Sequence, residues 1–491
     1  MIDSLPEQIK DIFEDYRKFV NENNNDNYEK EWNIQGWVRD FRSQSEFAFI
    51  SIYDGSISQT LQILCEKNKL DNFESLDNLR GATVKVNGIV KKSPAKGQEI
   101  ELVCNKIEAL GLVNDKTNII LAKTVNLETL RNHQYLRSRF KSFSYIYKIR
   151  STLLKNIHKF FNEKNFYNLD PNIITTSDCE GAGEVFTITN IDSNELIKKV
   201  KNNEKIPDNI YSQDFFQKQA FLTVSSQLQL EAFTAGLSRV YTLNPSFRAE
   251  KSKTKRHLAC FTHLEWEISF IDLNQLMDFS ELLIKNVINN TLNDCSREYS
   301  ELNKFISKGI IDKLNNIVNQ NFERITYDQA LIIIEENKKK IVKMFSKEMT
   351  LNDIPSWGDD LGSFCERYIC EVIYKKPVFV YNYPKDLKSF YMKLNDDNKT
   401  VQACDLLVNG IGEMIGSSMR EDNYDLLVKR IDEKNMDKSK LQWYIDLRKN
   451  STFEHGGAGL GFDRLVNLCS LIDGNIRDVV PFPVAYQECD Y

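Results

Sequence analysis

Over the first twenty residues, apolar and acidic positions recur at roughly helical spacing, which predicts an amphipathic helix. The Asn-rich stretch from Asn21 to Asn27 reads as a flexible connector. From Glu31 the period drops to two. Segments 34–41, 47–53, 59–65, 83–90 and 99–108 are short and rich in Val, Ile, Phe and Trp. Turn signals separate them, such as Asp54-Gly55 and Ser93-Pro94 with Gly97. Five such strands predict a small closed barrel, and a small sandwich fits the pattern equally. Residues 113–138 are mixed and polar, as in a hinge. A helical period runs from Arg139 to about Phe161, and Pro171 then interrupts a strand-like segment, Phe166 to Thr175. The region 221–271 is strand-rich, 275–375 is largely helical, strands return near 376–383 and 401–416, and a helix is expected over 421–436. The last hundred residues end in a glycine-rich strand–helix join. Strands and helices mix without regular alternation, which predicts an antiparallel α+β domain rather than a doubly wound sheet.

Composition narrows this picture only slightly. The 491-residue chain is 41% hydrophobic and 27% charged, ordinary for a globular protein. Its formal net charge of −6 supplies no global field for nucleic acid, so any RNA contact must use a local face. No run of about 18 apolar residues is present, and the acidic start lacks the form of a signal peptide. The ten cysteines form no C-x-x-C pair, and with five histidines no zinc site is expected. Reduced, mostly buried thiols in a cytoplasmic setting follow.

Three segments carry chemistry. Phe247-Arg248-Ala249-Glu250, the basic loop Lys251 to Lys255, Arg256-His257 and Phe261 read as a hairpin. Arg248 and Glu250, two apart, are expected on one face of a strand. An arginine beside a basic loop suits a polyphosphate, and Phe261 can stack on a base. Taken alone, such a hairpin reads as a solvated basic surface. In Gly456 to Leu465, glycines on a strand would let a flat ligand lie against bare backbone, and Arg464 would open a helix. This run is neither a Walker loop nor a Rossmann fingerprint. Asp405 and Glu413 stand on paired strand-like runs. Two carboxylates beside a phosphate site suit magnesium, although alone they read as surface acids.

Together, in this order, the segments resemble the motifs of the class II aminoacyl-tRNA synthetases. Arg139 to Thr175 with Pro171 is similar to motif 1, 247–261 to motif 2 (F-R-x-E, loop, R-H-x-x-x-F) and 457–464 to motif 3 (glycine-rich, ending G-x-D-R). The barrel with Gly36-Trp37-Val38 resembles the anticodon-binding OB-fold domain of the aspartate/asparagine/lysine subgroup. The resemblance covers roughly 30–491. It implies a helical or flexible extension over 1–30, an OB-fold over 31–112, a hinge over 113–138, and a catalytic domain over 139–491 with a helical insertion near 275–375. It also implies amino-acid activation by ATP with Mg2+, transfer to tRNA, and a homodimer. By resemblance, Arg248 meets the α-phosphate and Arg464 the γ-phosphate. Arg256 and His257 cover the ATP, Phe261 stacks on adenine, and Glu250 meets the adenine edge or the tRNA end. Gly461 lines the same site, and Asp405 and Glu413 hold the magnesium. By the same resemblance the Asp405-to-Glu413 interval is one residue longer than in bacterial aspartate enzymes, for which a wider turn at Gly410-Ile411-Gly412 is an equally simple reading.

Within the subgroup, the pocket residues resemble the asparagine branch. Aspartate enzymes carry a lysine where this chain has Leu230, in Ser225-Ser226-Gln227-Leu228-Gln229-Leu230. Without that cation a substrate carboxylate would be unpaired, at several kcal/mol. Arg420 resembles the arginine that takes the side-chain carbonyl of L-asparagine, and Glu265 the acid that accepts from its amide. Glu180, with Gln227 beside it, resembles the acid that binds the ammonium. Ser417 stands for a family glycine and is expected to narrow the pocket floor. Val484 replaces a common arginine. In the barrel, Phe49 resembles the aromatic that stacks on the central anticodon uridine of tRNA(Asn), Gln62 the amide that reads its edge, and Arg42 a nearby contact. Rivals are an aspartate enzyme, which Leu230 opposes, an asparagine-making paralogue, which lacks the barrel, and a non-catalytic relative, which typically loses motif arginines.

Overall fold

The computed structural model describes residues 5–70, 73–76, 79–115, 117–122, 125–177 and 184–490. The chain divides into two compact units, Met1–Tyr145 and Ile146–Tyr491.

In the first unit, β1 (Lys30–Ser43), β2 (Phe47–Tyr53), β3 (Leu61–Glu66), β4 (Thr83–Lys92) and β5 (Ile100–Gly111) close a barrel in the order β1-β2-β3-β5-β4. The period of two in the sequence is the inside–outside alternation of these strands. Ala48, Ile50, Ile52, Leu61, Ile63 and Cys65 point inward and are fully buried. Gly36 is required where β1 crosses close to β2, because a Cβ there would stand 2.8 Å from the Tyr53 carbonyl oxygen. The amphipathic start forms α1 (Ile9–Asn23). Its Ile9, Ile12, Phe13 and Tyr16 belong to the same buried cluster as the barrel interior. Asn24 ends it in the left-handed conformation that asparagine tolerates. The stretch 113–138 holds the short helix α2 (Leu127–Arg131) and two 3-10 turns.

The helix expected from Arg139 is α3 (Lys141–Glu163). In the second unit, β6 (Tyr167–Asn168) and β7 (Ile174–Thr175) are only the two ends of the strand-like segment, with Pro171 between them. After β8 (Thr187–Ile188) and α4 (Ser193–Lys201), β9 (Ala220–Leu222) pairs with both β7 and β8. The region 221–271 is not uniformly strand, because α5 (Gln227–Leu237) interrupts it. Leu228 and Leu230 alternate with glutamines as strand residues would, yet the run Gln-Leu-Gln-Leu-Glu-Ala is made of helix formers and tertiary burial decides. The motif 2 hairpin is β10 (Arg239–Phe247) and β11 (Cys260–Ser269).

A largely helical stretch follows as α6 (Leu273–Asp294), α7 (Ser296–Phe305), α8 (Ile310–Asn319), α9 (Tyr327–Met344) and α10 (Ser363–Tyr368), with β12 (Glu323–Thr326) inside it. Then come β13 (Val378–Tyr381), β14 (Ala403–Val408), β15 (Gly412–Met419), α11 (Tyr424–Glu433), α12 (Lys438–Asp446), β16 (His455–Gly461) and α13 (Phe462–Ser470). The large sheet runs β12-β13-β14-β15-β16-β11-β10-β6. Its six central strands are antiparallel as expected, whereas each edge pair, β12–β13 and β10–β6, is parallel, so the sheet is mixed. An aromatic cluster of Phe161 and Phe166, Tyr241 and Trp266, and Phe279 of α6 backs the sheet. The Phe161 and Tyr241 rings stack at 4.3 Å. Of the nine described cysteines all are free thiols and seven are buried, which fits small core residues rather than ligands.

Candidate active site

A cleft of about 300 Å3 opens on the large sheet. Arg248, Glu250, Arg256, His257 and Phe261 line it from the motif 2 hairpin, and Glu413, Gly461 and Arg464 line it from β15, β16 and the first turn of α13. All eight residues expected at the nucleotide therefore share one cavity, whose cations outnumber its unpaired acids. Asp463 also lines it, but its carboxylate takes Arg150 of α3 at 2.6 Å and the Thr262 amide at 2.8 Å, fixing the start of α13 against β11. Burial pushes the His257 pKa down; Glu250 opposes this, and Arg464, Arg256 and Arg248 add to it. Burial and the nearby Arg367 and Arg464 likewise lower that of Arg256. A cleft with this surplus of positive charge suits a polyphosphate.

Two expectations about local geometry need correction. Arg248 and Glu250 are not on a strand, because β10 ends at Phe247. The Arg248 amide still bonds the Ala259 carbonyl at 3.0 Å, but the Ala249 amide turns to Glu184 O at 2.9 Å and leads the chain away from its partner. The two side chains nonetheless stay close, 3.9 Å between guanidinium and carboxylate. In the glycine-rich strand, the bare backbone serves side chains of β11 as well as any ligand. A Cβ on Gly457 would stand 2.1 Å from Glu267 Oε1, and one on Gly459 would stand 2.5 Å from His263 Nε2.

Asp405 on β14 and Glu413 on β15 converge. A Cβ on Gly416 would lie 3.0 Å from Glu413 Oε1 and 3.8 Å from Asp405 Oδ1. The β14–β15 ladder carries a bulge: Leu406 pairs with Ile415 but Leu407 with Glu413, leaving Met414 extra. Asp405 is held by Lys388 Nζ at 2.6 Å. Burial and its carboxylate neighbours raise Glu366 to about 8 and Asp405 to about 6, the latter opposed by Lys388. Such crowded carboxylates fit a divalent cation. Among the described residues no three His, Cys, Asp or Glu side chains are arranged as a metal site. An ion here would lean on these acids and on the ligand's own oxygens.

Beyond the nucleotide cleft lies a buried polar network. Glu265 takes Ser226 N–H at 2.9 Å and the Ser225 hydroxyl, so it caps the start of α5, and His263 Nδ1 stands 3.4 Å away. Gln227 Nε2 donates to Glu231 at 3.0 Å. Arg420 donates through NH1 to Ser418 Oγ at 2.6 Å and through Nε and NH2 to Glu267. Leu230 is fully buried on α5. Glu180 lies outside the described residues. Ser417 does not narrow a pocket floor: its hydroxyl donates to the Cys404 carbonyl at 3.1 Å, on the opposite sheet face from Gly416 and Ser418. Val484 contributes backbone, bridging Cys260 and accepting from the Ala259 amide at 2.8 Å.

On the barrel, Arg42 pairs with Phe49 across β1–β2, and Gln62 pairs with Ser51 across β2–β3. Phe49, Ser51 and Gln62 therefore share the outer face. Phe49 is not barrel core, since its neighbours Ala48 and Ile50 take the inward positions.

Residues 126–486 match the family model described as tRNA synthetases class II (D, K and N), and residues 32–110 match that of the OB-fold nucleic acid binding domain. The chain belongs to the class II tRNA synthetases of the D, K and N group. Asparagine–tRNA ligase of Clostridium tetani is 41% identical over 476 residues, 97% of each chain. That of Treponema denticola is 44% identical over 459 residues, 92% of this chain and 95% of its own. The crystal structure of asparaginyl-tRNA synthetase from Pyrococcus horikoshii complexed with asparaginyl-adenylate is 32% identical, with a TM-score of 0.79 over 94% of this chain and 96% of that one. For a class II synthetase, the sequence reading missed His263, Glu231 and Glu267 at the site. The signals were present but weak. Glu267 follows Glu265 by two on a strand, and Glu231 follows Gln227 by four on a helix, so each shares a face with a residue already singled out.

Proposed function

We propose that the chain activates L-asparagine with ATP and transfers it to the 3′ end of tRNA(Asn). The asparagine carboxylate attacks the α-phosphorus, a P–O bond forms, and the bond to pyrophosphate breaks. The terminal ribose hydroxyl of tRNA then attacks the adenylate carbonyl and AMP leaves. No protein nucleophile is required; positioning and cationic stabilisation lower the barrier. Arg248 steadies the α-phosphate and Arg464 the γ-phosphate. Arg256, His257 and Glu250 close over the nucleotide, with Phe261 against adenine and Gly461 on the floor. Mg2+, held by Glu413 and Asp405, would neutralise charge on the phosphates. Gln227 and Glu180 meet the ammonium, and Glu265 and Arg420 the side-chain amide. Phe49, Gln62 and Arg42 read the anticodon.

One observation carries the choice of amino acid. Arg420 is already paired with Glu267, and Leu230 brings no second cation. An aspartate carboxylate would enter beside buried acids, with the Arg420 charge already paired to Glu267, whereas a neutral amide meets no such cost. We further infer a symmetric homodimer in the cytoplasm. Among the described residues no helix is long and apolar enough to cross a membrane. The testing experiment is ATP–pyrophosphate exchange with each amino acid. Asparagine is expected to support exchange far above aspartate, and the reverse order would make this an aspartate enzyme.

A further inference from the structure

Glu231 lies at the centre of the polar network under the amino-acid pocket and is completely buried, 1% exposed. Its two oxygens accept from Gln227 Nε2 at 3.0 Å, Tyr444 OH at 2.8 Å and Arg448 NH2 at 2.7 Å. His455 Nε2 lies 3.1 Å away and Arg420 Nε 3.8 Å. Buried carboxylates are expensive, and this one is held by groups from α5, α12 and the turn after it, and β16. Four close partners are what any buried carboxylate requires, so what marks Glu231 is which groups supply them. Two of its neighbours are the residues proposed to read the ligand: Gln227 at the ammonium and Arg420 at the side-chain carbonyl.

We propose that Glu231 is a positioning residue for amino-acid specificity: one buried carboxylate that orients Gln227 and Arg420 together and keeps the pocket acidic against aspartate. This deepens the asparagine reading above and rests on it. The geometry explains how. Arg420 is clamped by Glu267 and Ser418, with Glu231 3.8 Å from its Nε, and each terminal nitrogen keeps a second N–H to donate to a ligand. Gln227 has its amide nitrogen committed to Glu231, which turns its carbonyl oxygen outward as an acceptor for an ammonium. Arg448 also donates through Nε to the Glu421 carbonyl at 2.9 Å, tying Glu231 to the residue next to Arg420. Burial pushes the Glu231 carboxyl up, but Arg448, His455 and Arg420 outweigh it and hold it below the usual carboxylate range. Beside it, burial pushes Glu267 up against the pull of Arg420, and Glu231 adds to the rise.

The test is pyrophosphate exchange by the full-length enzyme carrying Glu231→Gln, which keeps the shape and removes the charge. The KM for asparagine is expected to rise roughly 10–100-fold, the scale of one lost hydrogen bond to a charged group. The KM for ATP should hold its wild-type value, and kcat/KM for aspartate relative to asparagine should rise. Tyr444→Phe removes a single hydroxyl from the same carboxylate and is expected to raise the asparagine KM about fivefold, again without moving that for ATP. This variant keeps the test open should Glu231→Gln fail to fold. Wild-type KM and selectivity in a folded variant would overturn the proposal, as would parallel loss of ATP and asparagine binding. Wild-type enzyme that prefers aspartate would instead overturn the parent reading.

Discussion

At the scale of single residues, the cleft is defined by the guanidinium groups that line it. Asp463 is paired with Arg150, while Arg248 and Arg464 line the cavity. Arg464 NH1 donates to the Glu413 carbonyl at 2.7 Å, which fixes its reach from α13. Arg248 lies 5.8 Å from the Phe261 ring, so one face of its guanidinium is set by an aromatic that is also available to a base. Replacing Arg248 by alanine removes a donor that a pentavalent phosphorus needs more than ground-state ATP does. Loss of one such donor costs on the order of 100–1,000-fold in rate. Arg248→Ala is expected to lose asparagine-dependent pyrophosphate exchange by at least that factor while binding tRNA as the parent does. Quenched exchange and filter binding on the same preparation check both halves, and normal activation in the variant would remove Arg248 from its role.

Elements show how far the sequence could be read and why it stopped. The barrel was legible because each strand buries one face, so composition alternates residue by residue along β1 to β5. That alternation also separates structural from exposed aromatics: Phe49 falls out of phase with Ala48 and Ile50 and so faces outward. Phe49→Ala therefore removes contact area from the outer face and leaves the interior packing intact. It is expected to weaken tRNA(Asn) binding by about 1–3 kcal/mol, the value of one stacked base, with pyrophosphate exchange and Tm unchanged. A matching fall in exchange would contradict separate binding and activating elements. In the second unit the sequence was less readable. The alternating leucines of α5 imitate a strand, and its helix is decided by burial and by Glu265 accepting at its first turn, a contact 39 residues away in the chain. The bulge at Met414 was likewise invisible, because no local pattern of residues marks it. The glycine-rich strand was placed correctly, but its close approaches to Glu267 and His263 depend on which strand became its neighbour. The register between β11 and β16 carries that information, and no local pattern encodes it.

For the molecule as a whole, what remains exposed matters as much as what is buried. The second unit presents Tyr167, Ile174 and Phe186 at 58%, 46% and 38% exposure, all on the short strands after α3 or beside them. Isolated exposed apolar side chains need no explanation, but Tyr167 on the edge strand β6, Ile174 on β7 and Phe186 just before β8 fall within twenty residues of chain, and together they are costly to leave in water. A two-fold partner presenting the same surface would cover them, and the closed symmetry would stop growth at two. The formal charge of −6 per chain does not prevent this, because charges farther apart than about 8 Å are largely screened at physiological salt. The wild-type chain, 57.1 kDa as a monomer, is accordingly expected to sediment as a dimer. Ile174→Glu would place a charge in each half of the self-facing patch, twice per interface, and is expected to shift the sedimentation profile toward monomer at micromolar concentration. Since Ile174 is exposed in the single chain, the variant should keep the parent's circular dichroism, so dissociation can be told apart from unfolding. A variant that remains dimeric would move the interface away from this patch.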